Sequence, residues 1–147
     1  MSQHAIRAAS LDDAPRIGAI LSAWVDEIPW VVRIHSHDDD QVHAAMLVQR
    51  GWVSVACLDG AVAGFLARDG GEIHALYVAH GARGRGLGKA LLEGAKRQSD
   101  RLGLWTFQAN RRAQAFYLRE GFCEVGRSDG ADNDEGLPDI RYEWRRI

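Results

Sequence analysis

The stretch from Glu72 to Arg101, EIHALYVAHGARGRGLGKALLEGAKRQSDR, runs from a strand pattern through a glycine-rich loop into a helix pattern. Its first part, from Ile73 to Val78, is a short apolar run of β-forming residues, which predicts a buried strand. From Gly86 onward, leucine and alanine recur at four-residue spacing with charged residues on the remaining faces. That spacing predicts an amphipathic helix, so the loop leads directly into a helix N-terminus.

The loop reads Arg-Gly-Arg-Gly-Leu-Gly-Lys over residues 83–89. Its three glycines allow the backbone to approach a ligand closely, because no Cβ stands in the way. A helix start adds unpaired N–H groups and the positive end of the helix dipole, and two arginines and a lysine add positive charge. The loop therefore predicts an anion site for phosphate or pyrophosphate, the alternative being a glycine-rich turn with solvated arginines.

The spacing of the glycines distinguishes several kinds of phosphate loop. A nucleoside triphosphate loop requires G-x-x-x-x-G-K-[ST], but Arg83 replaces its first glycine and Ala90 replaces its hydroxyl residue. The dinucleotide fingerprint requires G-x-G-x-x-G, whereas these glycines run G-x-G-x-G. The pattern R-x-x-G-x-G, formed by Arg83, Gly86 and Gly88, resembles the pyrophosphate loop of the GNAT superfamily of N-acetyltransferases, which bind acetyl-CoA.

Length and composition restrict the remaining possibilities. A chain of 147 residues is expected to form one domain over residues 1–147. The net charge of −2 provides no basic field for nucleic acid. Without a signal-like N-terminus or an apolar run long enough to span a membrane, the chain is expected to be soluble and cytoplasmic. The two cysteines, Cys57 and Cys123, form neither a disulfide framework nor a metal motif.

The predicted order of elements is β α α β β β α β α β β, the order of the GNAT fold. It implies a mixed α/β architecture, with a mostly antiparallel central sheet and helices on both faces. Asp12 is predicted to cap the first helix, Ser36 with Asp39 to begin the second, and Asp59-Gly60 to form a type I′ hairpin turn. The other predicted strands are Ala5–Ala8, Trp52–Leu58, Ala61–Arg68, Gly103–Ala109, Phe122–Gly126 and Asp139–Trp144.

A second segment carries the same resemblance. Asn110, Ala113, Phe116-Tyr117 and Gly121-Phe122 resemble the family segment N-x-x-A-x-x-F-Y-x-x-x-G-F. In this family, the strands on either side of the loop and its helix splay apart, and pantetheine lies between them. The resemblance therefore implies that acetyl-CoA is held by Leu76, Tyr77, Val78, Arg83, Gly84, Arg85, Gly86, Leu87, Gly88, Lys89, Asn110 and Tyr117.

The resemblance also implies an acid and a base. Tyr117 corresponds to the family's usual general acid for the departing thiolate; the alternative is an aromatic residue in the core. Glu72 stands where some members place the base that deprotonates the amine, the alternative being an exposed carboxylate. His74 is a rival base with a better unperturbed pKa, and solvent can also remove this proton.

Two tryptophans and a histidine are candidates for the acceptor pocket. Trp24 and Trp30 fall at the end of the first helix and in the following loop, which in the family covers the acceptor; ordinary core packing is the alternative. His74 is placed with them as a substrate-contacting residue. His35, His37 and the aspartates beside them fit the acidic start of a helix better than a metal site, so no metal is predicted.

These residues predict an acetyl-CoA-dependent N-acetyltransferase that acts directly on a primary amine of a small molecule, peptide or protein. The alternative from another class is a non-catalytic acyl-CoA-binding sensor. The expected partners are acetyl-CoA and an amine acceptor, with neither nucleic acid nor membrane. The oligomeric state stays open, with a homodimer as one alternative.

Overall fold

The computed structural model describes residues 4–147, and residues 1–3 lie outside that description. Seven strands form one sheet in the order β1-β2-β3-β4-β5-β7-β6, antiparallel except between β4 and β5. The strands are His4–Ala8 (β1), Val53–Leu58 (β2), Ala61–Asp69 (β3), Glu72–Val78 (β4), Arg101–Phe107 (β5), Cys123–Ser128 (β6) and Asp139–Arg145 (β7). The helices are Ala14–Glu27 (α1), His37–Gln49 (α2), Leu87–Gln98 (α3) and Arg111–Arg119 (α4).

The helices cover both faces of the sheet, so the predicted fold class is confirmed. On one face, α1 and α2 contribute Ile17 and Leu47 to a cluster with Phe65 of β3. On the other face, α3 contributes Leu91 to a second cluster that also contains Tyr117 of α4. Complete burial of a large apolar side chain stabilises the fold by roughly 1.5–3 kcal/mol, so these clusters fix the helices on the sheet.

Several predicted caps and turns are present. The Ser36 hydroxyl accepts a hydrogen bond from the Asp39 N–H at 3.0 Å, and the Asp39 carboxylate accepts one from the Ser36 N–H at 3.1 Å. Asp59 and Gly60 have φ values of 52° and 88°, as the predicted type I′ turn requires. The prediction that Asp12 caps α1 is wrong, because a 3₁₀ turn at Leu11–Asp13 precedes a helix that begins at Ala14.

Two other predictions need correction. The sequence pattern of residues 37–49 predicts Val42 on the apolar face of α2, but Val42 is exposed, and the buried apolar side chains are Ala44, Leu47 and Val48. The strand predicted as Gly103–Ala109 ends at Phe107, because the chain turns and the Asn110 N–H donates to the Phe107 carbonyl at 3.0 Å. Neither change alters the topology.

The parallel strands β4 and β5 separate soon after they begin. Within the described residues, their register contains the single pair Glu72 and Gly103. One sheet nevertheless joins elements from residue 4 to residue 145. The single domain over residues 1–147 stays a prediction, since it includes residues outside the description.

Candidate active site

A small cavity of about 90 Å³ opens where β4 and β5 diverge. Residues 73–77 of β4 and 104–107 of β5 form its two sides. Trp24 of α1, Asn110, and Ala113 and Tyr117 of α4 complete the lining. The structure thus brings together Leu76, Tyr77, His74, Trp24, Asn110 and Tyr117, which the sequence had placed in one site.

Tyr117 lies in the wall of this cavity and is also part of the core. Its ring packs against Phe116 and Phe122, with centroids 5.1 and 5.4 Å away, and lies 6.3 Å from the ring of Tyr142. Burial raises the pKa of the Tyr117 hydroxyl well above its ordinary value, with a smaller contribution from Tyr77. The hydroxyl therefore keeps its proton through neutral and moderately alkaline pH.

Asn110 has a structural role and also lines the cavity. Its side-chain oxygen accepts a hydrogen bond from the Ala113 N–H at 3.2 Å and so caps α4. Its position in the cavity wall comes from the turn after β5. The amide nitrogen is not used by the cap and can bond elsewhere.

The loop before α3 has the conformation expected of an anion cradle. Gly84 and Gly86 have φ values of 78° and 80°, in the left-handed region that favours glycine. No atom lies within 4 Å of a Cβ built on either residue, so the space beside them is open. The first bond of α3 runs from the Ala90 N–H to the Gly86 carbonyl at 3.0 Å. The N–H groups of residues 87–89 therefore point out of the helix start.

The side chains around this loop have different surroundings. Leu87 is buried in the core, so only its backbone can face a ligand. Gly88 lies against α4, where a built Cβ would be 3.5 Å from the Phe116 ring. Arg85 and Lys89 are exposed.

Arg83 is turned towards the protein. Its guanidinium pairs with Glu27 at the end of α1, lies 3.3 Å from His80 Nδ1, and donates to the Val78 carbonyl at 3.2 Å. Val78 does not belong to the described lining of the small cavity. Arg83 therefore joins the end of α1 to the end of β4, and its direct contact with pyrophosphate stays a prediction.

Glu72 lies outside the lining of both cavities described here. Its two carboxylate oxygens accept hydrogen bonds from Arg141 of β7 at 2.7 and 2.8 Å. The guanidinium crosses Gly103 of β5, where a Cβ would lie 2.2 Å from one of its nitrogens. The expected catalytic carboxylate is thus engaged in a bidentate ion pair near the point where β4 and β5 begin to separate.

His74 lines both cavities and occupies an irregular position in β4. Ala67 and Arg68 of β3 pair with Ala75 and Ile73, so His74 is an extra residue in β4. The bulge explains why Ile73 joins the core under α3 whereas Ala75 joins the core under α1. The His74 ring is exposed and stacks on Trp52, with centroids 5.2 Å apart.

A larger cavity of about 490 Å³ adjoins the small one. The two share the walls formed by Trp24, His74, Ala75, Tyr77, Trp105 and Phe107. The rest of the larger cavity is lined by residues of α1, the α1–α2 loop, α2, β3 and the β6–β7 loop. The two cavities are therefore neighbours, beside the point where β4 and β5 separate.

The two predicted acceptor tryptophans have different places. Trp24 lines both cavities and packs against Tyr77, with ring centroids 5.1 Å apart. Trp30 is absent from the described linings, and it packs edge-on against Trp24 at 6.1 Å and Phe107 at 5.5 Å. Trp30 therefore supports the wall that Trp24 and Phe107 form.

Sequence reasoning missed several residues of the larger cavity. The apolar strand pattern of residues 103–109 predicts Trp105 in the core, but Trp105 is 49% exposed and lines this cavity with Phe107. Alternation along β5 could have shown that residues two apart share a face. His43 and the loop residues Asp134 and Glu135 also line the cavity, and burial lowers the pKa of His43. No pattern near those three residues indicated this.

Within residues 4–147, no group of three or more histidine, cysteine, aspartate or glutamate side chains is placed to hold a metal ion. In the same part of the chain, no helix is long and apolar enough to cross a membrane.

A sequence model of the acetyltransferase (GNAT) family matches residues 8–122. The chain belongs to the GNAT family. The predicted GNAT membership is thereby confirmed. The segments that carried the resemblance, the loop at residues 83–89 and the helix α4, both fall inside the matched region.

The chain is also similar to two curated N-acetyltransferases. The peptidyl-lysine N-acetyltransferase YiaC of Escherichia coli is 32% identical over 95% of this chain and 95% of its own length. The peptidyl-lysine N-acetyltransferase YjaB of Salmonella typhimurium is 34% identical, but the match spans 59% of each chain. Among solved structures, the putative acetyltransferase yncA of Salmonella typhimurium, determined with acetyl-CoA, has a TM-score of 0.74 at 19% identity and covers 99% of this chain and 95% of its own. The last similarity supports the GNAT fold.

Proposed function

We propose that this protein is an N-acetyltransferase that moves an acetyl group from acetyl-CoA directly to a primary amine. The observation that carries the proposal is the set of lining residues that the two neighbouring cavities share. Tyr117 and Asn110 line the small cavity between β4 and β5, and Trp24 and His74 border both cavities. A thioester held between the strands and an amine in the larger cavity would therefore lie close to each other, beside the residues that line both cavities.

The residues present fit the cofactor. The left-handed glycines 84 and 86 and the outward N–H groups of residues 87–89 form a cradle for pyrophosphate, which a side chain at either glycine would obstruct. Backbone groups of Leu76 and Tyr77 and the amide of Asn110 would hold the pantetheine arm in the small cavity. When bound, acetyl-CoA would supply the acetyl group as a thioester, whose sulfur leaves as a thiolate and takes up a proton.

Tyr117 is the proposed general acid. It lines the small cavity, and burial keeps its hydroxyl protonated. The hydroxyl would give its proton to the thiolate as the carbon–sulfur bond breaks, and solvent would restore it. A positioned acid of this kind contributes roughly 10²–10⁴-fold to the rate.

His74 is the proposed base in preference to Glu72. Both oxygens of Glu72 are held by Arg141 outside the described cavity linings, whereas His74 is present in both linings. The imidazole would accept the proton that the amine loses as the new carbon–nitrogen bond forms. Glu72 would then have a structural role, in which its ion pair with Arg141 stabilises the sheet where β4 and β5 begin to separate.

Direct transfer is consistent with the positions of the cysteines. Cys57 is buried in β2, and Cys123 is exposed on β6. Neither belongs to the lining of the two cavities described here, so neither is placed to carry an acyl group between them. The amine itself would attack the thioester carbon.

The acceptor in this proposal is a primary alkyl amine of a small molecule, a peptide or a protein. Two relatives are named as peptidyl-lysine N-acetyltransferases, and their names support a primary alkyl amine as the acceptor. The cytoplasmic location and the homodimer stay predictions.

Thiol release from acetyl-CoA in the presence of an amine panel tests the proposal. The expected result is release of free CoA that depends on the amine and on the hydroxyl of Tyr117. Binding of acetyl-CoA without release by any amine would instead support the sensor. Calorimetry on the same protein separates a failure to bind from a failure to turn over.

A further inference from the structure

The charged residues that line the larger cavity are absent from the described lining of the small cavity. The walls shared by both cavities are aromatic or apolar, apart from His74. Asp39, Asp40, Asp134 and Glu135 line the larger cavity only. A bound acceptor would therefore have its reacting end near aromatic rings and its far end near carboxylates.

Arg33 is the one arginine or lysine among the described residues that line this cavity, and its donors are engaged. Its guanidinium donates to Asp26 at 2.9 Å, to Asp40 at 2.8 Å, and to the carbonyls of Ser22 and His35 at 2.8 and 3.0 Å. Those four bonds use four of the five N–H donors of an arginine. A carboxylate on the acceptor would therefore meet carboxylates at this end, where the one arginine in the described lining already has partners for its donors.

The inner and outer carboxylates differ in their partners. Asp40 is buried and accepts from Arg33 and the Ser22 hydroxyl, so its charge is already balanced. Asp134 and Glu135 are exposed on the β6–β7 loop. The charges of Glu135 and Asp40 add to burial in raising the pKa of Tyr77 to about 12. The negative field thus reaches the junction, where it favours a positively charged ligand.

Two loops approach each other over the larger cavity. His35 of the α1–α2 loop lies 3.7 Å from the Asp134 carboxylate of the β6–β7 loop, and both residues line the cavity. A volume of about 490 Å³ is within the range of small-molecule pockets. The contact between the two loops and the limited volume favour a compact molecule over a folded protein surface.

On the basis of the proposed acetyl transfer, we infer that the acceptor is a small diamine: a primary amine on an apolar or aromatic body, with a second cationic group and without a carboxylate. The body would contact Trp24, Trp105 and Phe107. The second cation would lie beside Asp134 and Glu135. This narrows the acceptor from any primary amine to one chemical class.

Three benzylamines that share one aromatic body and the same kind of reacting group, a primary aminomethyl group, provide the test. p-Xylylenediamine carries a second ammonium, 4-methylbenzylamine carries a methyl group, and 4-(aminomethyl)benzoate carries a carboxylate at the far end. At low salt, kcat/KM should be about tenfold higher for the diamine than for the methyl compound, as expected of about 1.4 kcal/mol of charge attraction. The benzoate should fall below the methyl compound, and added salt should reduce the advantage of the diamine.

Variants of the β6–β7 loop test whether the preference for the diamine depends on the carboxylates of this loop. The double variant Asp134→Asn, Glu135→Gln should raise KM for p-xylylenediamine about tenfold and leave 4-methylbenzylamine unchanged. Asp132→Asn is the matched control, because Asp132 is exposed on the same loop and outside the described cavity lining. Equal melting temperatures of the variants would verify that the fold is intact.

Four results would overturn the inference. A benzoate that reacts as well as the methyl compound, or a capped lysine peptide with a higher kcat/KM than the diamine, would contradict it and leave the acetyltransferase proposal standing. A diamine preference that survives the double variant would also contradict it. Bound acetyl-CoA without thiol release by any amine would overturn the proposed function and this inference together.

Discussion

Arg141 of β7 donates two hydrogen bonds to Glu72 of β4, across the one place where β4 and β5 are in register. The bond lengths are 2.7 and 2.8 Å, and the side chain of Glu72 is 36% exposed. Bidentate pairs of this kind fix orientation as well as charge. The pair therefore holds the sheet together at the point from which the small cavity opens.

Replacing the two base candidates separately should distinguish their roles. Glu72→Gln should lower the free energy of unfolding by about 1 kcal/mol and keep the acidic limb of the kcat/KM–pH profile, because the carboxylate acts as a structural partner. His74→Gln should remove that limb and lower the rate, because it removes the base. Denaturant unfolding and pH–rate profiles measure both effects.

His43→Gln is the matched control for the histidine, since His43 lines the larger cavity but not the small one. His43→Gln should keep the acidic limb of the kcat/KM–pH profile. Loss of the limb in Glu72→Gln, with His74→Gln near normal, would instead make Glu72 the base.

Removing the hydroxyl of Tyr117 should affect turnover and spare binding. Tyr117→Phe should lower kcat by roughly 10²-fold or more, with the affinity for acetyl-CoA preserved. Because burial raises the pKa of Tyr117, the wild-type enzyme should show no alkaline loss from this group below about pH 10. Tyr142→Phe, which alters a neighbouring ring outside the described cavity linings, should keep a normal kcat. A near-normal kcat in Tyr117→Phe would make this tyrosine a core residue.

A side chain at Gly86 should abolish cofactor binding. Gly86→Glu combines an unfavourable left-handed backbone, costing roughly 1–2 kcal/mol, with a negative charge in the anion cradle. Calorimetry with acetyl-CoA should show lost binding while the circular dichroism spectrum is retained. Gly94→Ala is the control, because Gly94 lies within α3 and the new methyl group should leave affinity unchanged. Unchanged affinity in Gly86→Glu would place the cofactor elsewhere.

The two tryptophans should separate acceptor binding from cofactor binding. Trp30→Ala should raise the acceptor KM about fivefold and spare acetyl-CoA, because loss of an aromatic contact behind the acceptor wall costs about 1 kcal/mol. Trp24→Ala should weaken the binding of both the acceptor and acetyl-CoA, because Trp24 lines both cavities. Steady-state kinetics with each substrate varied in turn measures the difference. If Trp30→Ala leaves the acceptor KM unchanged, Trp30 is ordinary packing.

Local signals predicted most of the fold. The Ser36 capping box, the turn at Asp59-Gly60 and the helix start at Gly86 depend on residues a few positions apart, so they are visible in the sequence. Asn110 and Tyr117 are also visible in the sequence, because their spacing matches a known family segment. Their meeting in one cavity follows from the topology that this family shares.

Long-range pairs could not be predicted in this way. Glu72 and Arg141 are 69 residues apart, and nothing near either residue indicates the other. Arg83 pairs with Glu27, 56 residues earlier, and nothing near Arg83 in the sequence indicates this partner. The bulge at His74 depends on register with β3, and strand alternation alone does not reveal it. Function at these positions is decided by tertiary partners.

The most direct measurement follows both products of one reaction. Purified protein, acetyl-CoA and p-xylylenediamine are incubated, free thiol is measured by absorbance, and acetylated amine is measured by mass spectrometry. The proposed mechanism predicts one N-acetylated amine for each thiol released, with both products lost together in Tyr117→Phe. Saturable binding of acetyl-CoA with neither product, for this amine and for a panel of other primary amines, would contradict it.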